Sequence, residues 1–187
     1  MKNEIRILGI DDGPFVRGER KNVLVVGTIF RGGHFMDGLL SMMVRQDGNN
    51  ATPQLITMVS KCKFKPQLQC MLLNGIAFGG FNVVDVKKVW EQTKIPVICV
   101  IRAMPDFKKI KQALSHVSQH EKKWKLFLEA PPIKKIGHVY CQWIGITEEK
   151  VYKIIAISTT HGKIPEPLRI AHIIARGIVM GESKGRA

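Results

Sequence analysis

Short blocks of apolar residues, closely spaced and separated by turn residues, fill the first quarter of the chain and read as β-strands. "EIRILGI" (4–10) ends at Asp11-Asp12-Gly13, and "NVLVVGTIF" (22–30) follows the charged turn "VRGERKN". "HFMDGLLSMMVRQ" (34–46) follows "RGG", whose glycines suit a hairpin turn. Short links between consecutive strands predict an antiparallel meander. Beyond residue 50 the period changes. "NATPQLITMVSKC" places Leu55, Ile56, Met58 and Val59 at helical spacing, with Thr52 expected as N-cap and Pro53 at the first helical position. A strand "LQCMLLN" (68–74), a helix around "VDVKKVWEQT" (84–93), a strand "IPVICVI" (95–101) and a helix around "DFKKIKQALSHVSQ" (106–119) follow. "HVYCQWIG" (138–145) reads as one more short strand. "TEEKVYKIIAIS" (147–158) and "PEPLRIAHIIARGIVMG" (165–181) read as closing helices.

Three antiparallel strands followed by alternating helix and strand predict parallel pairing with right-handed crossovers. This is the element order of an RNase H-like α/β fold: a mixed sheet flanked by helices. Its first and fourth strands lie parallel and adjacent near the middle. Asp11 and Asn74 end those two strands, so they converge at the edge where open α/β sheets bind ligands. At 187 residues the chain suits one domain spanning 1–187.

Composition narrows the class. Hydrophobic residues make up 45% and charged residues 24%, the balance of a folded soluble protein. The longest apolar stretch, "IPVICVI", is far short of the roughly 20 residues of a membrane span, and the N-terminus lacks signal-peptide order. A cytoplasmic protein without a membrane partner is expected. Cys62, Cys70, Cys99 and Cys141 form no CxxC pair, which favours reduced buried thiols over disulfides or zinc. Twenty-nine Lys and Arg against 15 Asp and Glu give a formal charge of +14. A field of that sign attracts polyanions, nucleic acid first, although a lysine-rich thermophilic surface gives the same excess.

Candidate chemistry gathers in four stretches. Asp11 and Asp12 end a strand before Gly13-Pro14; they are either turn residues or carboxylates for a hard cation such as Mg²⁺. "RQDGNNATPQL" (45–55) offers oxygens from Asp47, Asn49, Asn50 and Thr52, which a turn and a helix cap also explain. In "NGIAFGGFNVVD" (74–85), Gly75, Gly79 and Gly80 allow positive φ or close approach of a ligand. Phe78 and Phe81 there either stack on a base or pack in the core. Asp85 is expected to cap the next helix. On the last helix Arg169, His172 and Arg176 share a stripe beside Glu166, either a solvated face or a site wall. Ser183 and Cys141 sit in no nucleophile elbow.

"LGIDDGPF", "DGNNAT", "LLNGIAFGGFNVVD" and "PEPLRIAHIIA", in this order, resemble the archaeal endonuclease dU family, a relative of endonuclease V. The resemblance covers nearly the whole chain. It implies an endonuclease V-like fold and an endonuclease of DNA repair that acts at deaminated bases, uracil or hypoxanthine. It also implies Mg²⁺ or Mn²⁺ as cofactor, and nucleic acid as partner, DNA ahead of RNA. By the same resemblance Asp11 corresponds to the metal-binding aspartate of the first strand. Asn74 stands where "DGxGIAHP" and "LDGITFGGFN" carry an aspartate. Asn50 stands in "DGNNAT" where "DGLDAT" is expected, and Asp47 is retained. With Asp12 added from the strand end, the candidate catalytic set is Asp11, Asp12, Asp47, Asn50 and Asn74, with Asp11, Asp47, Asn74 and Glu166 toward metal. Gly75, Phe78, Gly79, Gly80, Arg169, His172 and Arg176 are the candidate nucleic-acid contacts, read from the glycine loop and the last helix. Two amides in place of acids remove two negative charges from a cation site, so the alternative is a catalytically weakened nucleic-acid-binding protein on the same fold. The sequence sets no oligomeric state.

Overall fold

The structure, a computed structural model, describes residues 4–19 and 21–184. Strands β1 (Arg6–Asp12), β2 (Asn22–Arg31) and β3 (Phe35–Arg45) form the meander, followed by α1 (Ala51–Ser60). Next come β4 (Leu68–Asn74), the two-residue strands β5 (Ala77–Phe78) and β6 (Asn82–Val83), α2 (Val86–Thr93) and β7 (Val97–Ile101). The chain continues through α3 (Phe107–Leu114), α4 (His120–Glu129), β8 (Lys134–Ile136), β9 (Val139–Ile144), α5 (Glu148–Ser158) and α6 (Glu166–Met180).

Seven strands form one sheet in the order β3-β2-β1-β4-β7-β9-β8. The meander is antiparallel, and β1 pairs parallel with β4, as does β4 with β7. The first and fourth strands are therefore central neighbours, as the element order predicts. β9, expected as one more short strand, pairs antiparallel with β7. It does so because β8 and β9 form a hairpin through Gly137 (φ 60°), which turns β9 back along β7.

Side chains alternate across the sheet. Leu8, Ile10, Leu73 and Cys99 face one apolar layer together with Leu55, Val59 and Val89 of α1 and α2. Ile7, Leu72, Ile98 and Cys141 face another with Val151, Ile154 and Leu168 of α5 and α6. All four cysteines are buried and free. No described helix is long and apolar enough to cross a membrane.

Three local expectations change. Asn50, not Thr52, is the N-cap of α1, and Pro53 sits third, where the first turn still needs no N–H. The Thr52 hydroxyl instead accepts from Asp85 N (2.9 Å), and Asp85 caps α2 by accepting from Lys88 N (2.9 Å), as predicted. The predicted helix 106–119 ends at Leu114, and a second helix starts after Gln119, whose φ of 55° breaks the run. The basic run "EKKWK" thus lies in α4, with Lys123 only 1% exposed.

The seat of α6 is built into the strands. A Cβ on Gly9 would stand 2.4 Å from the Pro167 carbonyl carbon, so only glycine lets the helix approach β1 this closely. The buried Thr28 hydroxyl donates to Pro167 O at 2.6 Å, fixing the same turn.

Candidate active site at the strand ends

Because β1 and β4 run parallel side by side, Asp11 and Asn74 meet at their carboxyl ends. Asp11 is 1% exposed. Its Oδ1 accepts from Asn74 Nδ2 and from its neighbour Asp12 N, both at 2.9 Å, and its Oδ2 lies 2.9 Å from His172 Nδ1. His172 reaches Asp11 because α6 is seated on Gly9 two residues earlier. Asp11, Asn74 and His172 thus form one hydrogen-bonded group on the α6 side of the sheet.

Alternation turns the Asp12 side chain toward the opposite face, where Oδ2 accepts from Gly79 N at 2.6 Å. Burial, and then the adjacent Asp11 charge, push the Asp12 carboxyl up from 3.8 to about 6, with the Gly79 hydrogen bond opposing. Two neighbouring acids at a sheet edge are therefore short of compensating positive charge.

Asp47 and Asn50 belong to a second group that supports the glycine loop. Asp47 N donates to Gly79 O (2.8 Å), and Asp47 Oδ1 accepts from Phe81 N (2.7 Å). Gly79 and Gly80 both adopt positive φ, and a Cβ on Gly80 would fall 2.4 Å from Asp47 Oδ1. Asn50 Oδ1 accepts from Arg45 N (3.0 Å) and Asn82 Nδ2 (2.7 Å), while Asn82 Oδ1 takes Ala51 N (2.9 Å). Lys123 donates through Nζ to Asp47 O and Gly48 O; burial lowers the basicity of its ammonium, with the Asp47 charge opposing. Gly79 joins the two groups, gripped by Asp12 on its N–H and by Asp47 on its carbonyl.

Glu166, 3% exposed, is engaged elsewhere. Arg169 Nε and Nη2 donate to its two oxygens at 2.8 to 3.0 Å, and the backbone His161 N reaches it at 3.3 Å. That pairing holds the Arg169 guanidinium above its ordinary basicity. Among the described residues no group of three or more His, Cys, Asp or Glu side chains forms a ready metal-ligand set. Of the residues expected to hold metal, only Asp11 and Asn74 are hydrogen-bonded to each other; Asp47 and Glu166 are committed to other partners.

Phe78 is fully buried in the layer against α1 and α2, so its ring is core rather than a stacking surface. Phe81 remains partly exposed and lines an apolar cavity of about 230 Å³ with Gly75, Ile76, Gly80 and Phe127. Gln142 of β9 also lines that cavity and is 5% exposed. Sequence reading missed Asn82, Lys123 and Gln142. For Lys123 a signal existed: Leu126 and Phe127 follow at three and four residues, the spacing of a buried helical stripe. Asn82 and Gln142 sit among residues that carry no sign of which polar side chain turns inward.

Residues 3–179 match the family model for endonuclease dU. A "UPF0215 protein" of Methanothermobacter thermautotrophicus is 47% identical over 191 residues, covering all of this chain and 94% of that protein. A crystal structure of a protein of unknown function from Archaeoglobus fulgidus superposes with a TM-score of 0.87 at 38% identity, over 94% of this chain and 98% of its own. The endonuclease V of Ciona intestinalis, solved with a 24mer DNA containing an inosine followed by a ribo-adenosine, shares the fold. Its TM-score is 0.56 at 13% identity, over 90% of this chain and 83% of that one. The sheet and its helices are thus endonuclease V-like, that is RNase H-like, and family and fold together support a nuclease. With nearly its full length matched by that model, the chain belongs to the endonuclease dU family.

Proposed function

We propose that the protein is a divalent-metal-dependent endonuclease that cuts nucleic acid, DNA in preference to RNA, beside a deaminated base. The observation that carries this reading is the meeting of Asp11, Asn74 and His172 at the adjacent ends of β1 and β4, with Asp12 on the other face of the same strand end. The glycine loop beside them borders an apolar cavity. The inosine-containing complex of the Ciona enzyme supports nucleic acid as the partner class. A cytoplasmic location and a role in DNA repair belong to the same proposal.

The donors suit Mg²⁺ or Mn²⁺. Such ions are commonly held by one or two carboxylates, with water and phosphate oxygens completing the shell. Asp11 supplies the carboxylate on the α6 side, and Asp12, whose carboxyl is pushed up to about 6 by burial and then by the Asp11 charge, supplies one on the other face of the same strand end. Asn74, whose Nδ2 faces Asp11, would add its carbonyl with the amide turned over. When bound, the ion would supply charge neutralisation at the phosphate and a more acidic water.

The chain's own residues have separable tasks. Asn74 and His172 fix the orientation of the Asp11 carboxylate. Asp47 and Asn50 act through the loop, holding Gly79 and Phe81 in place beside Asp12. Glu166 aligns Arg169, which with Arg176 would engage phosphate. Gly75, Gly79 and Gly80 let backbone approach an extruded base. Gln142 offers an amide donor and acceptor to the carbonyl and N–H that deamination creates on a base.

Purified protein is expected to nick uracil- or hypoxanthine-containing oligonucleotides with Mg²⁺ or Mn²⁺, and Asp11→Ala is expected to abolish nicking. No cleavage above the Asp11→Ala background with any divalent metal would overturn this reading. One observation favours the alternative, a catalytically weakened nucleic-acid-binding protein. Asn74 donates a hydrogen bond to Asp11, so the pair is already satisfied without a cation. If only the missing charges limit catalysis, Asn50→Asp combined with Asn74→Asp gains metal-dependent cleavage.

A further inference from the structure

On the α6 side of the sheet, beyond His172, lies a second cavity of about 590 Å³. Arg102, Lys163, Arg169, Arg176 and Lys184 line it with three imidazoles, and no described lining residue is acidic. Arg169 is neutralised by Glu166 and Lys184 by Glu182. Arg102, Lys163 and Arg176 have no ion-pair partner among the described residues. Two atoms of the lining residues, Arg176 Nε and His172 Nε2, are buried with no hydrogen-bond partner. Buried polar atoms are nearly always satisfied, so two orphans on one cavity wall mark a place where a ligand completes the structure. The shape of the charge says which ligand. The three uncompensated cations come from the end of β7, from the loop before α6 and from α6 itself. That spread over a wide, open cavity suits successive phosphates of a strand better than one phosphate in a tight nest. His172 forms part of this wall and touches Asp11 with its other nitrogen.

We propose that this cavity binds backbone phosphates of the nucleic-acid strand whose neighbouring segment lies across Asp11 and Asn74. This rests on the nucleic-acid reading above and deepens it. The strand would cross the ends of β1 and β4 with the apolar cavity on one side and the cationic cavity on the other. Arg102 and Lys163 thereby join Arg176 as phosphate ligands.

The test uses the full chain in chelator, so that binding is read without cleavage. Fluorescence anisotropy follows a labelled uracil-containing single strand between about 50 and 200 mM salt. A Lys163→Ala, Arg176→Ala double variant is expected to lose about tenfold in affinity and to flatten the logarithmic salt dependence by about 1.4, roughly 0.7 per lost phosphate contact. A Lys87→Ala, Lys88→Ala variant, which removes the same charge from exposed positions on α2, is expected to lose less than about twofold. Arg102→Ala with Lys163→Ala, both exposed and away from the helix core, gives the same result should Arg176→Ala perturb folding. Equal losses in the cavity and α2 variants, or no loss in the cavity variants, would overturn the proposal. Inorganic phosphate separates a strand site from a site for free phosphate. Competition with the strand only at millimolar phosphate is expected, whereas tight phosphate binding that leaves the strand in place overturns it. Cavity-dependent binding by a protein that never nicks would remove the catalytic reading alone, and nicking that survives the cavity variants with full affinity would remove this one alone.

Discussion

At the scale of single residues, the site depends on how two carboxylates are kept close together. Asp11 is surrounded by donors, whereas the Asp12 carboxyl is pushed up by its burial and then by the Asp11 charge, with backbone N–H groups, Gly79 first, opposing. The folded state therefore keeps a proton on Asp12 across the range from 3.8 to about 6, where the unfolded chain releases it. That contribution to stability is fully present below pH 4 and is lost as pH rises through about 6, on the order of 2 kcal/mol after allowance for partial exposure. Asp12→Asn keeps an acceptor for Gly79 N without the charge. Relative to wild type it is expected to gain stability between pH 4 and 7, read from urea midpoints, while losing metal-dependent activity. Asn74→Asp works in the opposite sense. It replaces a donor to Asp11 with a like charge and is expected to cost on the order of 2 kcal/mol without metal at neutral pH. Mg²⁺ or Mn²⁺ should restore part of that loss as a rise in melting temperature larger than in wild type. An unchanged melting temperature in both conditions would show that Asn74 is not part of a cation site.

At the scale of elements, the geometry depends on how α6 meets the sheet. His172 can touch Asp11 only because Gly9 leaves room for the first turn of the helix. Gly9→Ala must displace Pro167 backbone, and overpacking of this kind typically costs about 1–3 kcal/mol. Gly27 on β2 is a useful contrast, because its added Cβ meets the flexible end of Leu8 at 3.1 Å. Gly9→Ala is expected to lower both the urea midpoint and nicking, with Gly27→Ala milder in both. Equal behaviour of the two would separate α6 seating from the site. The same scale explains the glycine loop. Asp47 and Asn50 read as a polar turn in sequence, yet with Asn82 and Lys123 from later segments they form the clamp on residues 79–81 that faces Asp12.

At the scale of the whole molecule, the +14 charge becomes specific only where it is organised. Many lysines sit on exposed helix faces and contribute a general attraction that salt screens. Arg102, after β7, converges with Lys163 and Arg176, from the loop before α6 and from α6 itself, beside the strand ends.

The order of strands and helices, and with it the meeting of Asp11 and Asn74, was legible because hydrophobic period and turn residues act locally and parallel crossovers have a fixed hand. The motifs likewise sufficed for the family, and Asp85 was legible as a cap from its place before a periodic run. Other features were not. Lys123 reads as surface charge until α4 turns it onto the carbonyls of Asp47 and Gly48. Glu166 reads as a metal candidate until Arg169 takes both its oxygens. Phe78 reads as either a stacking ring or core until the sheet buries it. β9 reads as one more short strand, and its antiparallel direction is set only by the hairpin turn at Gly137. By itself the sequence determined the element order and the residues that end the central strands, since local preference and periodicity decide those. Only the tertiary structure decided which polar groups face one another, because hydrogen-bond partners and buried charge depend on contacts between segments far apart in the chain.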